Sequence, residues 1–305
     1  TFGLGNRCSI LLSYGTGAGG FSMFGRRLPV WTRVGLVVLG LAPAPASACP
    51  DEHSLEARIA DVDERLEIRL EDGRTLAIPG LEPPRATPSQ PERLAATRAA
   101  LSRWLVGLPV ALRPLAAEPD RWGRVPMRVR AEAPDGEPDS PPGDLATQIL
   151  ARGLARFRPS ALLGDCREAL LAAESQARAE KLGLWSDPVY AVVAGADRQA
   201  FQGRVGETVI VEGRVTRVGE ARFRTYLNFG PIRGQDFAVT ILKRNRATFE
   251  KAGTPLARLA GRRIRVRGLL ETRFGPQIEI ASPAELEMID APAPASHRKS
   301  DDRGP

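Results

Sequence analysis

Short segments in which apolar and polar residues alternate recur along this chain, separated by turn residues. Residues 66–70 alternate with period two, the Asp72-Gly73 pair is a hairpin signal, and residues 75–78 return from it. Further strands are predicted at 110–112 and 125–129. Leucines at three- and four-residue spacing predict helices between and after these strands, at 91–105, 144–154 and 165–182. The pattern predicts a mainly β protein with helices, which is an α+β fold class.

The second half of the chain repeats this plan with its own set of strands. Five short strands are predicted, and one helix, at about 245–258, lies between the third and the fourth. That order is typical of an OB-fold, so we expect a second, five-stranded OB-like barrel. The predicted strands are 208–218, 222–229, 236–242, 263–271 and 277–280.

One face of this second barrel is predicted to be cationic. In its second and fourth strands arginines alternate with apolar residues, so each strand has one side for the barrel interior and one for solvent. Arginines neutralise phosphates and an aromatic ring stacks on a base, which favours binding of single-stranded nucleic acid or another polyanion. Outward arginine also deters edge pairing, and that alternative stays open. The predicted contact residues are Arg222, Arg224, Tyr226, Arg263, Arg265 and Arg267.

The charge of the chain is divided between its halves. The formal net charge is +7, but residues 51–190 hold 19 Lys and Arg against 23 Asp and Glu. Residues 201–290 hold 16 against 10. A polyanionic partner is therefore expected to dock mainly on the second half. A solvated arginine surface without a partner is the alternative.

Residues 23–48 have the three parts of an export signal. Arginines follow Met23, an apolar run covers 34–42, and Ala46-Ser-Ala48 is a small-x-small cleavage site. The apolar run is about half the roughly 20 residues needed to span a bilayer. We therefore expect cleavage after Ala48 and a periplasmic or secreted mature chain without a transmembrane segment, with residues 1–22 as upstream sequence.

Two cysteines remain after that cleavage, Cys49 and Cys166. An oxidising compartment favours a disulfide between them. In the alternative interpretation Cys49 is the acylated residue of a lipoprotein signal. The predicted organisation is a first domain at 49–188, a linker at 189–203, a second domain at 204–290 and a disordered tail at 291–305.

Three motifs in the first domain carry a family resemblance. Asp120-Arg-Trp-Gly-Arg124 is followed by Ala151-Arg-Gly-Leu-Ala155, and then by Glu174-x-x-Ala-Arg178 leading to Gly183-Leu-Trp185. In this order and spacing they resemble the staphylococcal-nuclease-like (thermonuclease) family over residues 55–188. The resemblance implies an OB barrel with helices. It also implies calcium-assisted hydrolysis of a phosphodiester, in which carboxylates hold the metal and arginines stabilise the developing charge.

The resemblance assigns roles to three residues and shows where the family pattern is broken. Asp63 and Glu82 match the two metal-binding carboxylates, and Arg124 matches a catalytic arginine. Ala77 stands where the family has a second arginine, and Arg85 where it has the glutamate that orients water. Each loss typically costs about a hundredfold or more in rate.

These departures leave the function open between three classes. The expected protein is an exported nucleic-acid-binding or polyanion-binding module whose nuclease activity is lost or much reduced. A metal-dependent phosphodiesterase with a rearranged site, and a structural or interaction component of the cell envelope, are the alternatives. Trp122 either stacks on a base or is a buried turn aromatic.

Overall fold

The structure is a computed structural model that describes residues 55–132 and 143–289. The predicted export signal, Cys49 and the predicted tail lie outside the described residues. None of the helices within the described ranges is long and apolar enough to cross a membrane.

A closed five-stranded barrel with helices packed around it forms the first half of the described chain. Strands β1, β2, β3, β6 and β5 are hydrogen-bonded in that order, and β5 returns to β1. Closure depends on a parallel pairing of β3 with β6 through Leu76 and Val125. The elements are β1 Leu55–Val62, β2 Ile68–Leu70, β3 Thr75–Ala77, β4 Leu81–Glu82, α1 Arg93–Leu105, β5 Pro109–Pro114, β6 Val125–Ala131, β7 Gly143–Asp144, α2 Leu145–Ala151, β8 Arg156–Phe157 and α3 Arg167–Ala179.

The alternation predicted from the sequence fills this first barrel. In β2 the side chains of Ile68 and Leu70 are buried while Arg69 between them is exposed, as period two requires. Helix α1 lays Leu101 and Leu105 against the same core. The α+β class and the barrel with helices are therefore confirmed.

The second half of the described chain repeats this strand order. Strands β11, β12, β13, β15, β14 and β10 are hydrogen-bonded in that order. Only Val215 and Thr216 separate β10 from β11, so this order begins and ends on one continuous segment of the chain. We call β10–β15 the second barrel. Its elements are β9 Val193–Ala194, β10 Thr208–Arg214, β11 Arg217–Glu220, β12 Arg224–Asn228, β13 Ala238–Leu242, α4 Arg246–Lys251, β14 Arg263–Glu271, β15 Gln277–Ile280 and β16 Leu286–Met288.

Two elements differ from their predictions. The helix predicted at 245–258 is the short α4 followed by a separate 3₁₀ turn at Leu256–Leu259, because Gly253 and Pro255 do not continue a helix. The segment 189–203, predicted as a linker, packs into the second core. Val193 pairs with β10, and the ring of Phe201 stacks on Phe237 with centroids 5.0 Å apart.

A network of buried charges joins the two barrels. Arg267 of β14 donates to both carboxylate oxygens of Glu174 in α3 and to Glu287 of β16, at 2.7–3.1 Å. Arg265 pairs with Glu287 and with Glu212 of β10. Arg267 and Glu174 are 4% and 1% exposed at their side chains, so this contact excludes water. In this network the Arg267–Glu174 pair is the one that crosses between the two halves, so each of these two charges depends on its partner in the other half.

Candidate nucleic-acid interface and first-barrel groove

A tight turn in the first barrel holds Arg124 in place. One carboxylate oxygen of Asp120 accepts hydrogen bonds from the backbone N–H groups of Trp122 and Arg124. The other oxygen accepts Nε of Arg124 at 2.9 Å and ion-pairs with its Nη2 at 2.8 Å. Nη1 of Arg124 ion-pairs with Glu67 at 2.9 Å. The hydrogen bond to Asp120 raises the pKa of Arg124, and Glu67 acts in the same direction.

The carboxylates of Glu67 and Asp120 both pair with Arg124, the arginine to which the family resemblance assigns a catalytic role. Its guanidinium faces one acid on each of two edges, so its charge is already balanced within the protein. Sequence reasoning missed Glu67. The available signal was its place immediately before β2, where the chain enters the barrel beside the Arg124 turn.

Asp63 organises the turn that leads to Glu67. Its Oδ1 accepts the backbone N–H groups of Arg65 and Glu67, both at 2.8 Å. The turn forces Leu66 into the left-handed region, with φ of 64°, which is unusual for a residue with a branched side chain.

Asp63→Ala should therefore destabilise the protein by about 0.5–2 kcal/mol, the usual cost of losing a side-chain cap. Urea unfolding measures this, with the exposed neighbour change Glu64→Ala as the control. Calcium should not shift the midpoint of either protein. A calcium-dependent stabilisation that Asp63→Ala removes would contradict this assignment and restore Asp63 as a metal ligand.

Glu82 lies at a different place from Arg124. Its Oε1 pairs with Nη2 of the buried Arg156 at 2.9 Å, and it lines a cavity between the barrels together with Arg158 and Arg267. Arg124 lines a separate groove. The structure thus does not bring Asp63 and Glu82 together with Arg124 as one metal-binding set. Within residues 55–132 and 143–289, no group of three or more His, Cys, Asp or Glu side chains is arranged to hold a metal ion.

The two positions at which the chain departs from the family it resembles have other contacts. Ala77 lines the groove beside Arg124 without a charge to offer. Arg85 pairs with Glu207 at 2.9 Å, and its backbone N–H donates to the hydroxyl of Tyr190. Ala77 therefore does not supply the guanidinium, and Arg85 does not supply the carboxylate, that the resemblance would place at these positions.

Trp122 is exposed, which favours the stacking interpretation over the buried one. Its side chain is 64% accessible, and the guanidinium of Arg121 lies 4.0 Å from the ring centroid. This exposure contradicts the alternative of a buried turn aromatic.

The outer face of the second barrel carries aromatic rings beside arginines. Phe223, just before β12, is 65% exposed, and Phe274, in the turn before β15, is 59% exposed. The guanidinium of Arg222 lies 4.9 Å from the Phe223 ring, and that of Arg273 lies 5.4 Å from Phe274. Tyr226 lies in the middle of β12, and the guanidinium of Arg233 lies 5.5 Å from its ring.

The turn with Arg233 and the turn with Phe274 are in direct contact. A Cβ on Gly275, where φ is 99°, would lie 2.5 Å from the carbonyl oxygen of Gly234. Only glycine permits this approach. The contact lies at the end of the sheet where Asn228, Ala238 and Gln277 pair across three strands. Phe223 lies at the other end of β12 from this contact. We call Phe223, Tyr226 and Phe274, together with Arg222, Arg233 and Arg273, the aromatic–arginine face.

Several arginines predicted for this face have other positions. Arg267 is buried and the side chain of Arg265 is only 16% exposed, because both pair with carboxylates of the junction network. Arg224 lies on the face, but Glu279 pairs with it at 2.6 Å. Arg263 is exposed. No carboxylate of the described chain pairs with Arg222, Arg233 or Arg273.

The alternation of β12 itself is confirmed. Thr225 and Leu227 are fully buried, and Arg224, Tyr226 and Asn228 point outward. Phe223 was expected inside, but it precedes the strand and is exposed. Cys166 is buried at the start of α3. Because Cys49 is outside the described residues, the disulfide stays a prediction.

No protein-family model matches this chain, and a comparison with curated proteins finds no significant relative.

Proposed function

We propose that this protein binds single-stranded nucleic acid through the aromatic–arginine face, on a thermonuclease-like scaffold that has lost most or all of its hydrolytic chemistry. We further propose that it acts after export, as the segment 23–48 indicates. The resemblance in residues 120–185 supports the ancestry. The strand order supports it too, since both barrels place their third strand parallel to the fifth and a helix before the fourth, as in OB-folds.

The observation that carries the proposal is the exposure of large rings beside arginines that have no carboxylate partner in the described chain. Phe223 and Phe274 expose more than half of their surface to water, so both rings are accessible to a stacking ligand. A base stacked on such a ring contributes about 1–3 kcal/mol, and the adjacent guanidinium neutralises a phosphate. Single strands offer both groups, whereas a duplex hides its base faces.

The loss of hydrolysis is supported by the first barrel. Arg124 is occupied by Glu67 and Asp120, Asp63 caps a turn, and Glu82 pairs with Arg156. A phosphodiester in the groove would meet Arg124 already paired with two carboxylates, and within the described residues no group of acids is arranged to hold a metal ion. A metal and free guanidinium groups normally supply most of the stabilisation of the transition state.

The test measures binding of a fluorescent single-stranded oligonucleotide by anisotropy as salt is varied. The wild-type protein should bind, and log Kd should rise linearly with log salt. Replacing Arg222, Arg233 and Arg273 with alanine should reduce that slope by about 2, because each single-strand phosphate contact contributes about 0.7. Arg258→Ala, on the exposed 3₁₀ turn outside the face, should leave the slope unchanged.

The alternatives give different outcomes. A general polyanion binder would bind heparin as tightly as the oligonucleotide and would not respond to loss of the rings. An envelope structural protein would bind neither at low salt. A rearranged phosphodiesterase would cleave the probe when divalent metal is added, and Arg124→Ala would abolish the cleavage.

A further inference from the structure

Apolar side chains form one part of the groove beside Arg124, and polar groups form the other. The groove encloses about 450 Å³, and its apolar part is lined by leucine and proline side chains, among them Leu66, Leu81, Pro83, Leu154, Pro159 and Leu162. Such walls suit the faces of a flat, uncharged ring. They do not suit a phosphate, which would lose its hydration against them.

The polar end of the groove is nearly balanced in charge. Arg124 lies between Glu67 and Asp120. Arg65 and Arg158 also line the groove, but both are exposed, so water and salt screen them. Unlike a phosphate site, this end presents no unbalanced buried cation.

The same end places a hydrogen-bond donor beside an acceptor. Nη1 of Arg124 and Oε1 of Glu67 are 2.9 Å apart. The guanidinium has five N–H groups, more than its bonds to Glu67 and Asp120 use, and Glu67 keeps a second oxygen. A donor and an acceptor side by side match the edge of a nucleobase, which carries the complementary pair.

The backbone of the groove is strained at the residue next to this pair. Leu66 has φ of 64° and lines the groove. A left-handed leucine costs about 1–2 kcal/mol, and Asp63 holds it there through the bonds to Arg65 and Glu67. Strain of this kind is typical of ligand clamps.

We propose that this groove binds one unstacked nucleobase, or an equivalent neutral heterocycle, with its edge against Glu67 and Arg124 and its phosphate outside. In this arrangement the base lies in the groove and the phosphate lies outside it. A site that cleaves a phosphodiester would instead hold the phosphate inside. The inference rests on the proposed function for the source of the base, but its site lies in the first barrel and is separate from the aromatic–arginine face.

Calorimetric titration with cytidine tests the groove, in a Phe223→Ala/Tyr226→Ala/Phe274→Ala background that removes stacking on the second barrel. Cytidine should bind saturably, whereas ribose 5-phosphate and inorganic phosphate should not. Glu67→Gln should weaken cytidine about tenfold, the scale of a lost base-edge contact. Because it frees Arg124, the same change should strengthen phosphate. Glu71→Gln, exposed on the neighbouring hairpin, is the matched control.

Three results would overturn the inference: no saturable binding of cytidine, ribose 5-phosphate binding as tightly as cytidine, or a Glu67→Gln protein that binds cytidine like the control. If wild-type protein still binds oligonucleotides in these cases, the groove proposal fails and the proposed function stands. If the protein binds cytidine but no oligonucleotide, the proposed function fails and the groove proposal stands.

Discussion

Arg267→Ala is expected to destabilise the protein by about 3–5 kcal/mol, the usual cost of removing one partner of a buried ion pair. The substitution leaves Glu174 and Glu287 charged in a junction from which water is excluded, and it also removes the hydrogen bond to the carbonyl of Phe157. Urea unfolding followed by circular dichroism measures the change. Arg222→Ala, exposed on the second barrel, should stay within about 0.5 kcal/mol of wild type.

The same junction gives the protein a defined response to acid. Burial raises the pKa of Glu287, but Arg267 and Arg265 outweigh it and hold the pKa below the ordinary value of 4.5. The stability contributed by this group is therefore complete above about pH 4.5, and it is lost as pH falls through the folded-state pKa. Arg267→Ala should flatten this part of the stability curve. If Arg267→Ala loses stability between pH 4.5 and lower pH as steeply as wild type does, other groups cause the acid sensitivity.

Gly183→Ala is expected to destabilise the protein by more than about 4 kcal/mol, beyond the range of ordinary substitutions. A Cβ at this position would lie 2.2 Å from the carbonyl oxygen of Gly153 and 2.8 Å from that of Arg152, and φ is 51°. The two backbones approach closely because the N–H of Leu184 donates to Gly153 at 2.9 Å. Neither backbone can move without breaking the α2–α3 packing.

Gly107→Ala is the matched control for that prediction. Gly107 also has positive φ, 82°, but a Cβ there would meet no atom within 4 Å. It should cost only the left-handed strain, about 1–2 kcal/mol. Equal effects at both positions, measured by the midpoint of urea unfolding, would show that backbone strain and not the close contact sets the requirement for glycine.

Local patterns predicted the strands well because successive side chains of a strand point to opposite faces, so alternating apolar residues are buried on one face. Ile68 and Leu70 in β2, and Thr225 and Leu227 in β12, are buried as their spacing indicates. The spacing could not show which outward face meets the other barrel. Arg265 and Arg267 have the sequence pattern of a solvent-facing strand, and only the docking of α3 and β16 against β14 buries them.

The candidate site was less predictable, because it depends on pairings across long sequence separations. Arg124 was identified from its motif, but its partner Glu67 is 57 residues away and belongs to no motif. Asp63 and Glu82 were assigned from the family resemblance, but Asp63 accepts the backbone N–H of Glu67 and Glu82 pairs with Arg156. Phe274 and Arg273 were not predicted at all, since a single turn carries no periodicity.

The most direct test of the account incubates wild-type protein with a labelled single-stranded oligonucleotide and calcium, and follows binding and cleavage in the same sample. We expect salt-dependent binding that the Phe223→Ala/Tyr226→Ala/Phe274→Ala variant loses by more than about tenfold, with the oligonucleotide intact. Rapid calcium-dependent cleavage that Arg124→Ala abolishes would contradict the account.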